Sequence, residues 1–265
     1  MSSFTNDSGS AAVVVAHPGH ELLIHHYLER NRPLYFCLTD GSGGNGQSRL
    51  ESTSRLLQGV GASPGSIYGR FSDKEIYRIL LDGRVDVFVD LLNELAGSLI
   101  DADIQCVAGD AMEGFNPAHD LCRALIDSAA ALVRTRTGRV LRNYEFAVHG
   151  DPVAAPEDAL VRLELDESAL DRKIEAAMAY RAVRSDVEDA LDRFGKGAFA
   201  VEYLRPSSGA MLEQFEITPP AYESIGESRV SAGRYREVVR YREHVLPVID
   251  ALGIAVSDSA LSHHR

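Results

Sequence analysis

Across 265 residues no uninterrupted apolar stretch approaches the roughly 20 residues that a bilayer-crossing helix needs. The opening MSSFTNDSGS is polar and carries no basic residue, so no secretory leader is expected. Cysteine is scarce. Cys37, Cys106 and Cys122 are odd in number, widely spaced and set in apolar or helical surroundings, which excludes a disulfide framework or a CxxC metal site. Positive charge is short as well: 27 Lys and Arg against 39 Asp and Glu give a formal net charge of −12, which argues against wrapping a nucleic-acid backbone. No repeat recurs at a 20–50-residue period. The glycine-rich stretch GSGGNGQS has neither the Lys-Ser/Thr of a phosphate loop nor the spacing of a dinucleotide fingerprint. What is present, 45% apolar and 25% charged residues, is ordinary globular usage and predicts one α/β domain with a modest extension. A cytoplasmic protein with no membrane and no nucleic-acid partner is expected.

After a start (1–10) expected to be disordered, AAVVVA at 11–16 is a β-branched apolar run suited to a central parallel strand buried on both faces. It breaks at His17-Pro18-Gly19 into a helix predicted over 21–29. A second strand at 34–38 runs into Thr39-Asp40-Gly41 and a glycine loop reaching Gly46 through Gly43 and Gly44, followed by a helix over 48–58. A short strand at 66–68, helices at 74–81 and 85–99, a strand at 104–108 and a helix over 117–133 continue the alternation. That order predicts an α/β fold, a Rossmann-like open, mostly parallel sheet with helices on both faces. Beyond residue 140 the pattern gives strands at 144–148 and 160–165 joined by a polar connection at 151–156, one long helix over 167–194, a strand at 198–204, an irregular stretch at 205–228 and a closing helix over 230–252. The chain thus divides into the disordered start (1–10), an α/β catalytic domain (11–205) and a C-terminal extension (206–265) of loop plus helix packed on the same domain. An irregular stretch of that length is expected to fold over a pocket or against a neighbouring subunit, and is compatible with a homo-oligomer.

Open parallel sheets bind ligands beyond the carboxyl ends of their strands. Three segments lie there: His17-Pro18-Gly19-His20-Glu21, Thr39-Asp40-Gly41, and DAMEGFNPAHD at 110–120. At a strand-to-helix turn, positions 17 and 20 converge as i and i+3 neighbours, and His119 opens the helix after the fourth strand. Three neutral imidazoles with an open fourth position describe a catalytic zinc site, while the bland reading makes His17 and His20 turn residues and His119 a surface residue. His25, His26, His149, His244, His263 and His264 are read as structural, surface or terminal histidines.

VVVAHPGHE, LTDGSGG and EGFNPAHD, taken in order, resemble the LmbE/PIG-L family of metal-dependent N-deacetylases, whose motifs are AHPDDE, TDGxxG and a variant of HPDH. Arg49 with Glu51, Phe71-Ser72-Asp73, and Lys173 with Tyr180 ahead of Glu202-Tyr203 extend the likeness over roughly residues 12–205. The resemblance implies a divalent ion, Zn²⁺ or another such as Fe²⁺, held by His17, His20 and His119, with His20 standing where the family has a ligand aspartate. It implies hydrolysis of an N-acyl amide on a sugar or sugar-bearing small molecule. Gly19 stands where the family has its proton-accepting aspartate, and Asn116 replaces the family's other active-site histidine. The carboxylates left to handle protons are Glu113 first, then Glu21, Asp120 and Asp110. Arg49 is expected to face a sugar hydroxyl or phosphate, Asn116 to touch substrate, and Asp40 to wall the pocket. The missing base leaves a second reading open, a non-catalytic member that binds a metal or a sugar.

Overall fold

The computed structural model describes residues 10–43, 46–149 and 159–262. The expected disorder of residues 1–9, Gly44 of the glycine loop, the 151–156 connection, His263 and His264 lie outside the described residues. Five strands run parallel: β1 (Ala11–Val15), β2 (Leu34–Thr39), β3 (Ser63–Phe71), β4 (Cys106–Asp110) and β5 (Arg142–Phe146). Two more, β6 (Val161–Glu164) and β7 (Val201–Pro206), close one side, β7 antiparallel to β5 and β6 antiparallel to β7. The order across the sheet is β3-β2-β1-β4-β5-β7-β6. Strand order therefore reverses between β1 and β4, the place where doubly wound sheets bind ligands.

Every residue of β1 and β4 is buried, as continuous apolar runs under two helical layers must be. One layer is α3 (Asp73–Leu81), α4 (Val85–Asp101), α5 (Pro117–Thr137) and α10 (Leu246–Ser262). The other holds the 3₁₀ turn His20–Ile24, α1 (His25–Asn31), α2 (Leu50–Val60), α6 (Glu167–Ala179) and α7 (Arg184–Phe194). Gly109 sets how closely α5 lies on the sheet: a Cβ there would fall 2.3 Å from the Val14 carbonyl oxygen and 2.4 Å from Ile126 Cδ1.

Several expectations are corrected. The helix predicted over 167–194 is two helices, because the buried Tyr180 ends the first at an extended ψ and drops its hydroxyl onto Thr53. The stretch read as irregular contains α8 (Ala210–Ile217) and α9 (Ala221–Ser231), two short helices separated by Pro219 and Pro220. Phe215 packs on Gly114, and the Tyr222 amide donates to the Gly114 carbonyl at 3.0 Å, so this segment clamps the loop leading to His119. The closing helix begins with a π turn at Tyr241–Val245, not at 230. Its 21-residue stretch Tyr241–Leu261 is also long and apolar enough, by length and composition, to cross a membrane. Asp250 and Asp258 interrupt it, so no unbroken run shows in the sequence. Val245, Val248 and Leu252 bury one side in the core, whereas Ile254 and Leu261 are exposed.

Candidate metal centre

His17 follows β1, His20 opens the 3₁₀ turn and His119 sits in the first turn of α5. Their rings meet. Centroids are 5.5 Å apart for His17 and His20, 5.0 Å for His17 and His119, and 4.7 Å for His20 and His119, all edge to face. The reason lies in the turns. Gly19 takes φ +111°, bending the chain so that His20 folds back beside His17. Asn116 caps α5 by accepting from the Ala118 amide at 2.9 Å, with Pro117 fixing the first helical φ, so His119 is delivered at the helix mouth.

Two of the rings are oriented from behind by carboxylates. His17 Nδ1 donates to Asp73 Oδ1 at 2.9 Å and lies 2.8 Å from Thr39 Oγ1; His20 Nδ1 lies 2.9 Å from both oxygens of Asp110. A carboxylate holding the Nδ1 proton leaves Nε2 as the lone-pair nitrogen of each ring. Burial alone would raise both carboxyls, yet the His17 hydrogen bond holds Asp73 well below the usual carboxylate range, and the His20 charge and hydrogen bond depress Asp110. Burial would likewise push His20 down, but Asp110 reverses this and lifts its pKa. His119 goes the other way. Burial first, then the His20 charge, pushes it well below the ordinary histidine value, so it stands as a neutral imidazole. Among the described residues its buried Nδ1 has no hydrogen-bond partner. Among the described residues no group of three or more His, Cys, Asp or Glu side chains is arranged so that it could hold a metal ion as it stands; the three rings are mutual neighbours.

The other expected site residues are distributed unevenly. Glu21 is fully buried, its carboxylate accepting from Thr53 Oγ1 at 2.6 Å and from the Tyr35 hydroxyl and the Gly19 amide at 2.7 Å each. Its carboxylate ties the turn after β1 to β2 and α2. Asp120 is equally sealed, accepting from the Glu113 and Gly114 amides, and burial pushes its carboxyl up to about 7. It fixes the loop before His119. Glu113 is half-buried, accepts from the Val148 and His149 amides at 3.1–3.3 Å, and has its pKa raised mainly by burial. Asn116 Nδ2 lies 3.3 Å from His17 Nε2, at the ring cluster. Asp40, part-buried, accepts from the Ser42 amide at 2.9 Å and so shapes the glycine loop. Arg49 lines the cavity beside His20.

Asp73 is visible in the sequence only as part of Phe71-Ser72-Asp73; its contact to His17 spans 56 positions and leaves no local signature. His149 stacks on Phe115 at 3.8 Å between centroids and also lines the same cavity. His25 and His26 turn to the other side, His26 Nδ1 meeting Glu29 at 3.1 Å and its amide meeting Glu202. His244 accepts from the Arg240 amide and completes the turn before α10.

Gly19 also decides a test of the missing base. Its φ lies in the left-handed region, and the nearest atoms to an added Cβ are those of the Tyr180 ring, at 3.8–3.9 Å. Gly19→Asp is therefore expected to lower stability by about 1–2 kcal/mol and to aim its carboxylate at Tyr180. Thermal denaturation alongside an amine-release assay checks this, a gain of activity being the contrary result.

No protein-family model matches the sequence, and no curated protein matches it. Solved structures do share the fold. The conserved protein TT1542 from Thermus thermophilus superimposes with a TM-score of 0.50 at 19% identity, over 75% of this chain and 93% of that one. The A40926 pseudoaglycone deacetylase Dbv21, described as acting on an antimicrobial reagent, gives 0.51 at 17% identity, over 76% of this chain and 97% of that one. At such identities the shared property is the architecture: this chain has the α/β fold of these two proteins, with the three imidazoles at the reversal point of its sheet.

Proposed function

We propose that the protein is a metal-dependent hydrolase that cleaves an N-acyl amide on a sugar or sugar-bearing small molecule. The observation that carries this reading is the ring cluster of His17, His20 and His119, two of its members oriented by carboxylates and the third holding a buried nitrogen without a partner. The donor set fits a divalent ion of the zinc class: three imidazole rings, a carboxylate behind two of them, and an orphan nitrogen that a ligand bond would satisfy. Held by His17, His20 and His119, such an ion would supply Lewis acidity for an acyl carbonyl and would lower the pKa of a water to about 7. The structural neighbour described as a pseudoaglycone deacetylase supports the reaction class.

The chain's own residues divide the remaining work. Asn116 Nδ2, beside the ring cluster, donates to the acyl oxygen as negative charge develops. Glu113, whose carboxyl is raised, holds and passes the proton that the departing nitrogen requires. Arg49 faces a hydroxyl or anionic group of the substrate. Gly19 at the position of the usual base favours a second reading, a member that binds metal and ligand without turnover.

The deciding experiment uses untagged protein: metal content, then amine release from a panel of N-acyl amino sugars with and without chelator. One equivalent of zinc and release abolished by chelator and restored by zinc support the hydrolase. Bound zinc with no release supports the second reading, and no metal binding overturns both. Within the hydrolase, Glu113→Gln is expected to lower turnover by about a hundredfold or more with little change in zinc content. Asp73→Asn, which swaps the acceptor behind His17 for an amide, is expected to weaken zinc binding by about 10–100-fold, read by competition with a chromophoric chelator.

A further inference from the structure

Beside His20 opens a cavity of about 440 Å³, which begins at Pro18, Gly19 and Arg49 and runs between the 3₁₀ turn, the end of β5 and the joint of α6 with α7. Its volume falls in the range of about 300–1,000 Å³ usual for drug-sized ligands. The wall is mainly apolar, carried by Leu23, Phe146, Val148, Val183, Val187 and Phe199. Leu23, 41% exposed, presents its side chain at the mouth of this wall. The charges in the wall are largely spoken for. Lys173 pairs with Glu202 at 2.9 Å and Arg205 with Glu145 at 2.8 Å, leaving the exposed Asp186 on the rim and Arg49 at the end nearest the imidazoles. The Arg49 guanidinium makes no hydrogen bond or ion pair among the described residues, while its backbone is fixed by the Asp40 carbonyl and the Tyr180 hydroxyl.

A bare N-acetyl amino sugar would leave this chamber empty and its apolar wall wet. We propose that the substrate is an amphiphile: an amide-bearing small molecule whose apolar body, an alkyl chain or ring system, fills the chamber while an anionic or hydroxylated group meets Arg49. The inference rests on the amide-hydrolase reading for what is cleaved, but on the cavity alone for what is bound.

Binding is therefore measured on metal-free protein, where turnover plays no part and the imidazoles cannot capture the probe through a metal. Hexane-, octane- and decanesulfonate, titrated calorimetrically below their micellar concentrations, are the probes. The dissociation constant is expected to fall by about threefold to fourfold per methylene, the increment for burying a CH₂ group. Arg49→Gln should weaken all three probes by a similar factor. Ala198→Trp, which fills the chamber, should weaken decanesulfonate at least tenfold more than hexanesulfonate, and Leu23→Asp, at a half-exposed position that folding tolerates, should flatten the chain-length dependence. Affinity independent of chain length, or undisturbed by both Ala198→Trp and Leu23→Asp, overturns the inference. Zinc-loaded enzyme then separates the two claims. Chain-dependent binding without amine release from any amphiphilic amide defeats the hydrolase and leaves the chamber standing. Release from N-acetylglucosamine as fast as from amphiphilic amides, with no chain-length dependence, defeats the chamber and leaves the hydrolase.

Discussion

His119→Leu is expected to abolish tight zinc binding and amide hydrolysis while leaving the metal-free protein about as stable as its parent. The first half follows from ligand count. Two imidazoles remain, and the loss of one ligand weakens the site by more than the roughly 10–100-fold that a displaced supporting carboxylate costs. The second half follows from burial. His119 is 6% exposed, and its Nδ1 is a buried donor or acceptor with no partner among the described residues, a condition that costs about 1–3 kcal/mol. Leucine has a similar volume and no polar atom, so the apo fold loses a penalty along with a side chain. Zinc at a hundred times its dissociation constant should add about 2.7 kcal/mol to the parent's unfolding free energy and nothing to the variant's. Paired denaturant melts with and without zinc read both halves. Equal zinc stabilisation of parent and variant would remove His119 from the site, and a strongly destabilised apo variant would show that the imidazole is a packing residue first.

The frame of this site is legible in the sequence because it depends on short-range features. Continuous β-branched runs declare buried parallel strands, and the residues that follow them declare where a ligand can sit. His17, His20 and His119 are accordingly placed from turns and strand ends. The roles of the carboxylates are not. Glu21 and Asp120 follow histidines by one position each, yet a one-residue step rotates the side chain by about 120° on the 3₁₀ turn and about 100° on the α-helix, which carries both away from the ring cluster into the core. Asp73 is reached only by tertiary folding, since α3 must dock with its capped N-terminus, Ser72 and Glu75 closing a capping box, beside the end of β2. The break at Tyr180 has no proline or glycine to announce it; the hydroxyl's hydrogen bonds to Thr53 and the Arg49 carbonyl override a sequence with good helix propensity. In the same way α8, between Gly209 and the proline pair, and α9, beyond that pair, are too short for their periodicity to stand out.

Lys173 and Glu202 carry the second large effect. Lys173 is 5% exposed and Glu202 2%, and their charged atoms lie 2.9 Å apart. Each has a further duty. Lys173 Nζ donates to the Leu23 carbonyl at 2.9 Å, and the Glu202 carboxylate accepts from the His26 and Tyr27 amides at 2.8 Å, capping the start of α1. The pair thus ties α6 and β7 to the turn that begins at His20. Lys173→Met leaves a carboxylate buried without its cation, and a loss of about 3–5 kcal/mol is expected. Glu202→Gln strands the ammonium and weakens the cap, with a loss of similar order. The double variant should recover part of the sum, because the stranded charge created by each single change is absent. Zinc affinity of whatever fraction folds should change less than tenfold, since Asp110 and not this pair orients the His20 ring. Full additivity of the two single losses in urea melts would show that the two charges do not interact. A collapse of zinc affinity in well-folded Lys173→Met would make the pair part of the metal centre's support and not only a clamp on the turn that carries it.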